Sequence, residues 1–258
     1  MLVAIDFGIS NTDLAVLDKD NVSFYSAPSQ SSEINDGTIK NLFKKHGIDI
    51  SYVKIIGVTG GKSSDLDDCL EDITIVKINE IEAIGLGAKK IYGIDDDSTL
   101  VVSAGTGTAC VHVQGNNFNH LGGIAVGGGM LEGLGSLLFN NSHGLEINEF
   151  AQKGFRTELD LLIGDVVNKI GNLSPEITAV NFGQARNTSA DTMENTSAAL
   201  CNMIGEVIGT VAYLNALLIG SNKACFIGRT SYLSEIIRGI NQRLGLAGIE
   251  GKYNDNRE

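Results

Sequence analysis

One plan occurs twice in this chain, roughly a hundred residues apart. The strings VAIDFGISNTDLAVL, residues 3–17, and VVSAGTGTACVHV, residues 101–113, each run from a buried strand through a turn of glycines and small hydroxyl residues into an alternating strand. In register, Asp6, Gly8 and Ser10 stand opposite Ser103, Gly105 and Gly107. A repeat of this size predicts a duplicated fold presenting two facing hairpins. Between the copies, residues 31–46 carry Ile34, Ile39 and Leu42 at helical spacing, residues 53–58 read as a short buried strand, and residues 80–91 as a second helix. That alternation is an α/β pattern. Further along, helices are expected over residues 129–139, 146–152, 160–170 and 196–218, then a strand over 223–227 and a helix ending at Leu244.

A chain of 258 residues can bury a substantial core and is long enough for two small lobes, expected here as 1–95 and 96–258. The surplus of acid, 31 Asp and Glu against 19 Lys and Arg, argues against a protein that grips a phosphate backbone, so no nucleic-acid partner is expected. The apolar run at 196–218 contains Asn202, Glu206 and Asn215, which suits a buried core helix rather than a membrane span. No leader-like stretch opens the sequence, and the expected location is the cytoplasm. Cys69, Cys110, Cys201 and Cys225 are scattered without CxxC spacing and are expected to be buried free thiols.

Against only 2 prolines stand 32 glycines, clustered where backbone must turn sharply or approach a ligand closely. In such a turn, amide N–H groups can point at phosphate oxygens, and small hydroxyl side chains add donors without blocking the approach. Residues 6–12, DFGISNT, form the first turn of this type, and Asp6 could there hold hydrated magnesium. A plain hairpin turn uses the same residues. Residues 103–108, SAGTGT, form the second, and a facing pair closing on one nucleotide is more specific than either alone. A third glycine run, residues 122–129, leads into a helix whose N-terminus suits an anion or a flat ring, or which packs closely against a neighbour.

Residues 59–63, TGGKS, follow a strand but fail as a P-loop, because the position five before Gly61 is Ile56; a surface turn is expected. Glu80 and Glu82 open a helix, where acids favour the first turn, and Glu80 could also serve as the base for a substrate hydroxyl. The four histidines show no metal-ligand spacing; His120, just before Leu121-Gly122-Gly123, could lie at the mouth of the site.

The strings IDFGISNT, GVTGG, NEIEAIGLGA, AGTGT, LGGIAVGGGMLEGLGSLL, EITAVNFG and FIGRTSY, in this order, resemble the type II pantothenate kinases of the actin, sugar-kinase and heat-shock ATPase superfamily. The resemblance implies a duplicated actin-like ATPase fold of the ribonuclease H type, two lobes around a nucleotide cleft. It implies ATP and magnesium as cofactors, pantothenate as substrate and a homodimer with the 196–218 helix in its interface. Asp6, Gly8, Ser10 and Asn11 would form the first phosphate and magnesium loop, and Gly105, Thr106, Gly107 and Thr108 the second. Gly127, Gly128 and Gly129 would approach the nucleotide, Gly228 the adenosine side, and Asn181 matches the asparagine of the family's Asn-Phe-Gly string. Glu80 would be the catalytic base, with Thr106, His120 and Gly122 beside the substrate.

Three departures bear on the substrate and the nucleotide side. His120 stands where the family often places an arginine for the pantothenate carboxylate, a weaker and pH-dependent anchor. Gly144 stands where relatives carry a tyrosine, and residues 253–258 stand where the family continues into a small-residue helix. The alternatives are a kinase of the same fold for another hydroxylated metabolite, such as an amino sugar, and a nucleotide-binding regulator without transferase activity.

Overall fold

The computed structural model describes residues 1–29, 34–95, 97–167, 174–187 and 189–255. The chain forms two compact units, Met1–Ala83 and Ile84–Glu258.

The first unit opens with an antiparallel meander, β1 (Leu2–Phe7), β2 (Asn11–Asp18) and β3 (Asn21–Pro28), followed by helix α1 (Asp36–His46). Strand β4 (Ile55–Thr59) then runs parallel to β1, and β6 (Ile73–Lys77) parallel to β4, with the short β5 (Cys69–Leu70) on the edge, giving the order β3-β2-β1-β4-β6-β5. Neither β1 nor β4 is buried on both faces: each alternates, with Val3, Ile5 and Phe7 or Ile56 and Val58 inward. The inward face packs on Ile39, Leu42 and Phe43 of α1. That helix starts at a reciprocal cap between Asn35 and Thr38 and stops at Gly47, whose φ of 67° a side chain would strain. Residues 31–33 of the expected helix lie outside the described residues.

Helix α2 (Glu80–Tyr92) leads into the second unit, where the plan recurs. Strands β7 (Thr99–Ala104), β8 (Thr108–Gln114) and β9 (Asn117–Ile124) form the meander; β12 (Lys223–Ile227) runs parallel to β7 and β13 (Glu250–Tyr253) parallel to β12. The order β9-β8-β7-β12-β13 reproduces β3-β2-β1-β4-β6 strand for strand in direction, so the duplication read from two short strings extends to both sheets. Gly122 and Gly123 belong to β9 rather than to a helix-leading loop, since they pair with Cys110 and Ala109.

Helices α3 (Gly128–Phe139) and α4 (Gly144–Ala151) follow, then a small ribbon of β10 (Leu161–Leu162) and β11 (Thr178–Val180) around the single turn α5 (Ile163–Val166). A helix was expected over 160–170; of its described part only that turn is helical. Asp160 is drawn inward instead, accepting hydrogen bonds from the Phe182 N–H (2.9 Å) and the Asn202 amide (3.1 Å), while Leu161 pairs with Val180. Residues 168–170 lie outside the described residues.

The long helix α6 (Met193–Leu218) is long and apolar enough to cross a membrane, yet 67% of its most apolar stretch is buried, and Leu200, Ile204 and Ile208 sit in the core. Against it lies α7 (Ser234–Leu246). The two approach so closely that a Cβ on Gly209 would stand 2.7 Å from the Ile240 carbonyl oxygen. Cys110, Cys201 and Cys225 are buried, and burial pushes their thiols up to about 11, 12 and 11; Cys69, at the edge strand β5, is exposed instead.

Candidate active site

In the first unit, β1 and β2 close on the turn at Gly8–Ser10, where Phe7 pairs with Thr12. The end of β3 ties the turn down: the Ser29 N–H donates to the Ser10 carbonyl (3.0 Å), its hydroxyl donates to the Gly8 carbonyl (2.6 Å), and Thr12 Oγ1 lies 3.2 Å from that hydroxyl. Asp6 and Ser10 are exposed, while Asn11 is half-buried. From the other side comes the 60–61 turn, whose φ values of 73° and 44° require glycine. A Cβ on Gly60 would collide with the Asp6 carboxylate, and one on Gly61 would stand 2.8 Å from the Phe7 carbonyl oxygen. The TGGKS segment is thus a surface turn on one side and a backing plate for the Asp6 turn on the other.

Asn79 was not foreseen as a functional or capping residue. Its Oδ1 accepts from the Ile81 N–H at 2.9 Å, which sets Glu80, exposed, in the first turn of α2.

In the second unit three distant glycine segments meet. The Gly128 N–H donates to the Gly105 carbonyl (2.8 Å), the Gly129 N–H to the Thr106 carbonyl (3.0 Å), and the Gly105 N–H to the Gly107 carbonyl (2.9 Å). A Cβ on Gly127 would stand 2.7 Å from the Gly105 carbonyl oxygen and 2.8 Å from that of Thr106. Gly228, at φ 87°, lies flat on Ala104, and the Thr230 hydroxyl donates to the Gly105 carbonyl at 2.7 Å. Gly105–Thr108, Gly127–Gly129 and Gly228 are therefore one constellation. Thr108 is buried and spends its hydroxyl on the Val126 carbonyl (2.8 Å), which holds the approach to α3.

His120 is exposed on β9, paired with Val111. A bulge follows it: Cys110 pairs with Gly122, so Leu121 is the extra residue, and Gly122 takes φ 132°. Gly144 opens α4, where an added Cβ would stand 3.4 Å from Glu132 Oε1, an ordinary contact. His112 is structural, its Nε2 lying 2.9 Å from Ser98 Oγ.

A buried polar network that no motif signalled lies under the Asn-Phe-Gly segment. Asn181 donates to Glu206 Oε2 (2.9 Å), Arg243 lies 3.1 Å from Glu206 Oε1, and Arg156 reaches Thr178 Oγ1 (2.8 Å) and, at 3.4 Å, Asp160. Burial raises the Asp160 carboxyl above its ordinary value, opposed by the Phe182 N–H and Arg156. Phe182 itself takes φ 57°. Residue types alone hint at this only in the polar positions 202 and 206 of an otherwise apolar helix.

A model of the Fumble family matches residues 88–237. A type II pantothenate kinase from Bacillus cereus (strain ATCC 10987 / NRS 248) is 30% identical over 240 residues, covering 88% of this chain and 82% of the relative. One from Oceanobacillus iheyensis is 32% identical over 178 residues, 67% of this chain and 66% of that protein. Among solved structures, a ROK family glucokinase from Streptomyces griseus in complex with glucose and AMPPNP superposes with a TM-score of 0.60 at 13% identity, covering 98% of this chain and 91% of that one. A ROK family protein from Streptococcus pneumoniae TIGR4 in complex with sucrose gives 0.55 at 11% identity, over 95% and 86%. Those two structures share the fold, the duplicated α/β arrangement of actin-like ATPases. By the match over more than half its length and the identity with relatives of similar length, the chain belongs to the type II pantothenate kinase family, Fumble.

Proposed function

We propose that the chain is an ATP-dependent kinase that phosphorylates the primary hydroxyl of pantothenate, the first step of coenzyme A biosynthesis. The observation that carries this is the 30% identity with a type II pantothenate kinase over 88% of the chain.

The residues fit the cofactors. Nothing lies within 4 Å of the point where a Gly105 side chain would start, which leaves the turn open to a phosphate. Magnesium in phosphoryl-transfer sites takes one or two protein carboxylates beside phosphate oxygens and water, so Asp6, exposed and seated over the bare Cα of Gly60, is a sufficient ligand. Magnesium ATP supplies the transferable phosphoryl group and neutralises its charge.

The chain's own part is positioning and proton removal. Gly8, Ser10 and Asn11 in one turn, and Gly105, Thr106, Gly107 and Thr108 in the other, present phosphate-binding backbone; Gly127–Gly129 and Gly228 hold the second turn in shape and border the nucleotide. Glu80 takes the hydroxyl proton of the substrate, and Thr106, His120 and Gly122 orient it. The apolar residues left exposed, Leu137, Leu138 and Leu145 on α3 and α4 with Leu214, Leu217 and Leu218 at the end of α6, are candidates for a homodimer interface. A cytoplasmic location accords with dependence on ATP.

The test is coupled ADP release with magnesium ATP, with and without pantothenate, beside a panel of amino sugars and other hydroxylated metabolites. Pantothenate-dependent turnover is the expected result; ATP binding without turnover on any acceptor would replace the kinase by a nucleotide-binding regulator.

A further inference from the structure

The first unit holds a cavity of about 300 Å³, the low end of the range for small-molecule sites. Its apolar wall is made by Phe7, Ala27, Ile34 and Leu42. One stripe of α1, Thr38, Asn41, Leu42 and Lys45, spaced three, four and seven residues along the helix, lines one side. Lys45 closes that stripe, and Lys62, after the Gly60-Gly61 turn, stands on another side. Both lysines are exposed, and neither forms an ion pair among the described residues. The cavity is therefore amphipathic: an apolar wall with two lysines in its lining.

Its position separates it from the proposed chemistry. Successive residues of a strand point to opposite faces of the sheet, so Phe7, which lines the cavity, and Asp6, which does not, lie on opposite sides of β1. Glu80 is not in its lining either. Yet Gly8, Ile9 and Ser29 do line it, and the Ser29 hydroxyl donates to the Gly8 carbonyl at 2.6 Å. The cavity wall and the first glycine turn are one piece of backbone.

We propose that this cavity binds a small organic anion with an apolar body, a short- or medium-chain carboxylate, and that the occupant acts on the first glycine turn rather than serving as phosphoryl acceptor. The alkyl body replaces water against Phe7, Ile34 and Leu42, and the carboxylate pairs with Lys45 and Lys62.

Isothermal titration of the full chain with octanoate tests it, with octylamine as the opposite charge. Octanoate is expected to bind and octylamine not to; Lys45→Glu and Lys62→Glu are each expected to weaken octanoate roughly tenfold, as loss of a charge-assisted contact does. Excess pantothenate is expected to leave the octanoate isotherm unchanged. Absence of octanoate binding, equal binding of octylamine, or indifference to both charge reversals would overturn the site. Displacement by pantothenate would overturn the separation from the acceptor. Binding is read without turnover, so the result stands apart from the fate of the kinase assignment.

Discussion

The hydroxyl of Thr230 donates to the carbonyl of Gly105 at 2.7 Å, joining residues 125 apart in the chain. That same carbonyl also accepts from the Gly128 N–H at 2.8 Å. One oxygen thus fastens the turn after β7 to both the start of α3 and the segment after β12, and the three glycine runs stand or fall together.

Substitutions at those glycines should separate shape from ligand access. Gly127→Ala and Gly228→Ala place a methyl against carbonyl oxygens, and Gly228 also has φ 87°, so each should cost about 1–3 kcal/mol in urea unfolding. Gly105→Ala meets nothing within 4 Å and should unfold like the parent, yet bind ATP more weakly because its methyl occupies the phosphate's approach.

Glu80→Gln should lower kcat by roughly 10²- to 10⁴-fold with little change in the ATP KM, the size expected for loss of a general base. Glu82→Gln, in the same first turn of α2, is the control and should stay near the parent rate. Near-parental turnover by Glu80→Gln would remove the base from this position.

His120→Arg should lower the pantothenate KM by roughly tenfold, since a guanidinium binds a carboxylate in a bidentate, pH-independent way. Gly144→Ala should fold like the parent, because an added Cβ there meets only ordinary contacts with Glu132 and Leu131. Steady-state kinetics for pantothenate across pH check the first, and circular dichroism the second.

The strings that repeat made much of the fold legible. Two glycine turns a hundred residues apart implied duplicated sheets, and the strand orders agree. What escaped had no local signal. Strand β13 is only four residues, glycine-containing, and justified by pairing with Lys223–Phe226 rather than by its own pattern. The expected helix over 160–170 failed because a buried carboxylate at Asp160 is satisfied from residues 22 and 42 positions away, partners that no periodicity can announce. At the candidate site, the glycine clusters were visible as segments of close approach, but their mutual locking through Thr230, and the use of Asn79 to set Glu80 on its helix, needed coordinates.

Asp160 should make stability depend on acid pH. Its carboxyl is raised when folded, chiefly by burial, so the folded state holds the proton more tightly than the unfolded chain. The contribution is fully present below the unfolded value, near 4 in model peptides, and is lost as pH rises through the folded one. Asp160→Asn should flatten that slope, while costing about 1–3 kcal/mol at neutral pH because an amide cannot accept from Phe182, Asn202 and Arg156 together. Urea unfolding from pH 3 to 8, a range about the model-peptide value, measures both.

Thiol chemistry should single out Cys69. It is exposed, whereas burial holds the Cys110, Cys201 and Cys225 thiols at about 11, 12 and 11, far from thiolate formation at neutral pH. A thiol reagent should therefore label one site quickly under native conditions and all four only on unfolding, with Cys69→Ser abolishing the fast phase.

A platform made of interlocked main chain leaves evolution little to adjust. At Gly127, Gly128, Gly129 and Gly228 any side chain collides with a neighbouring residue, so point changes there are filtered out before they can alter what is bound. Divergence toward new acceptors must then arise where a side chain can change without disturbing that lock, as at exposed His120 on its bulged strand and at Gly144, where an added Cβ meets only ordinary contacts. His120 and Gly144, two of the three departures expected from the sequence, are of that permissive kind.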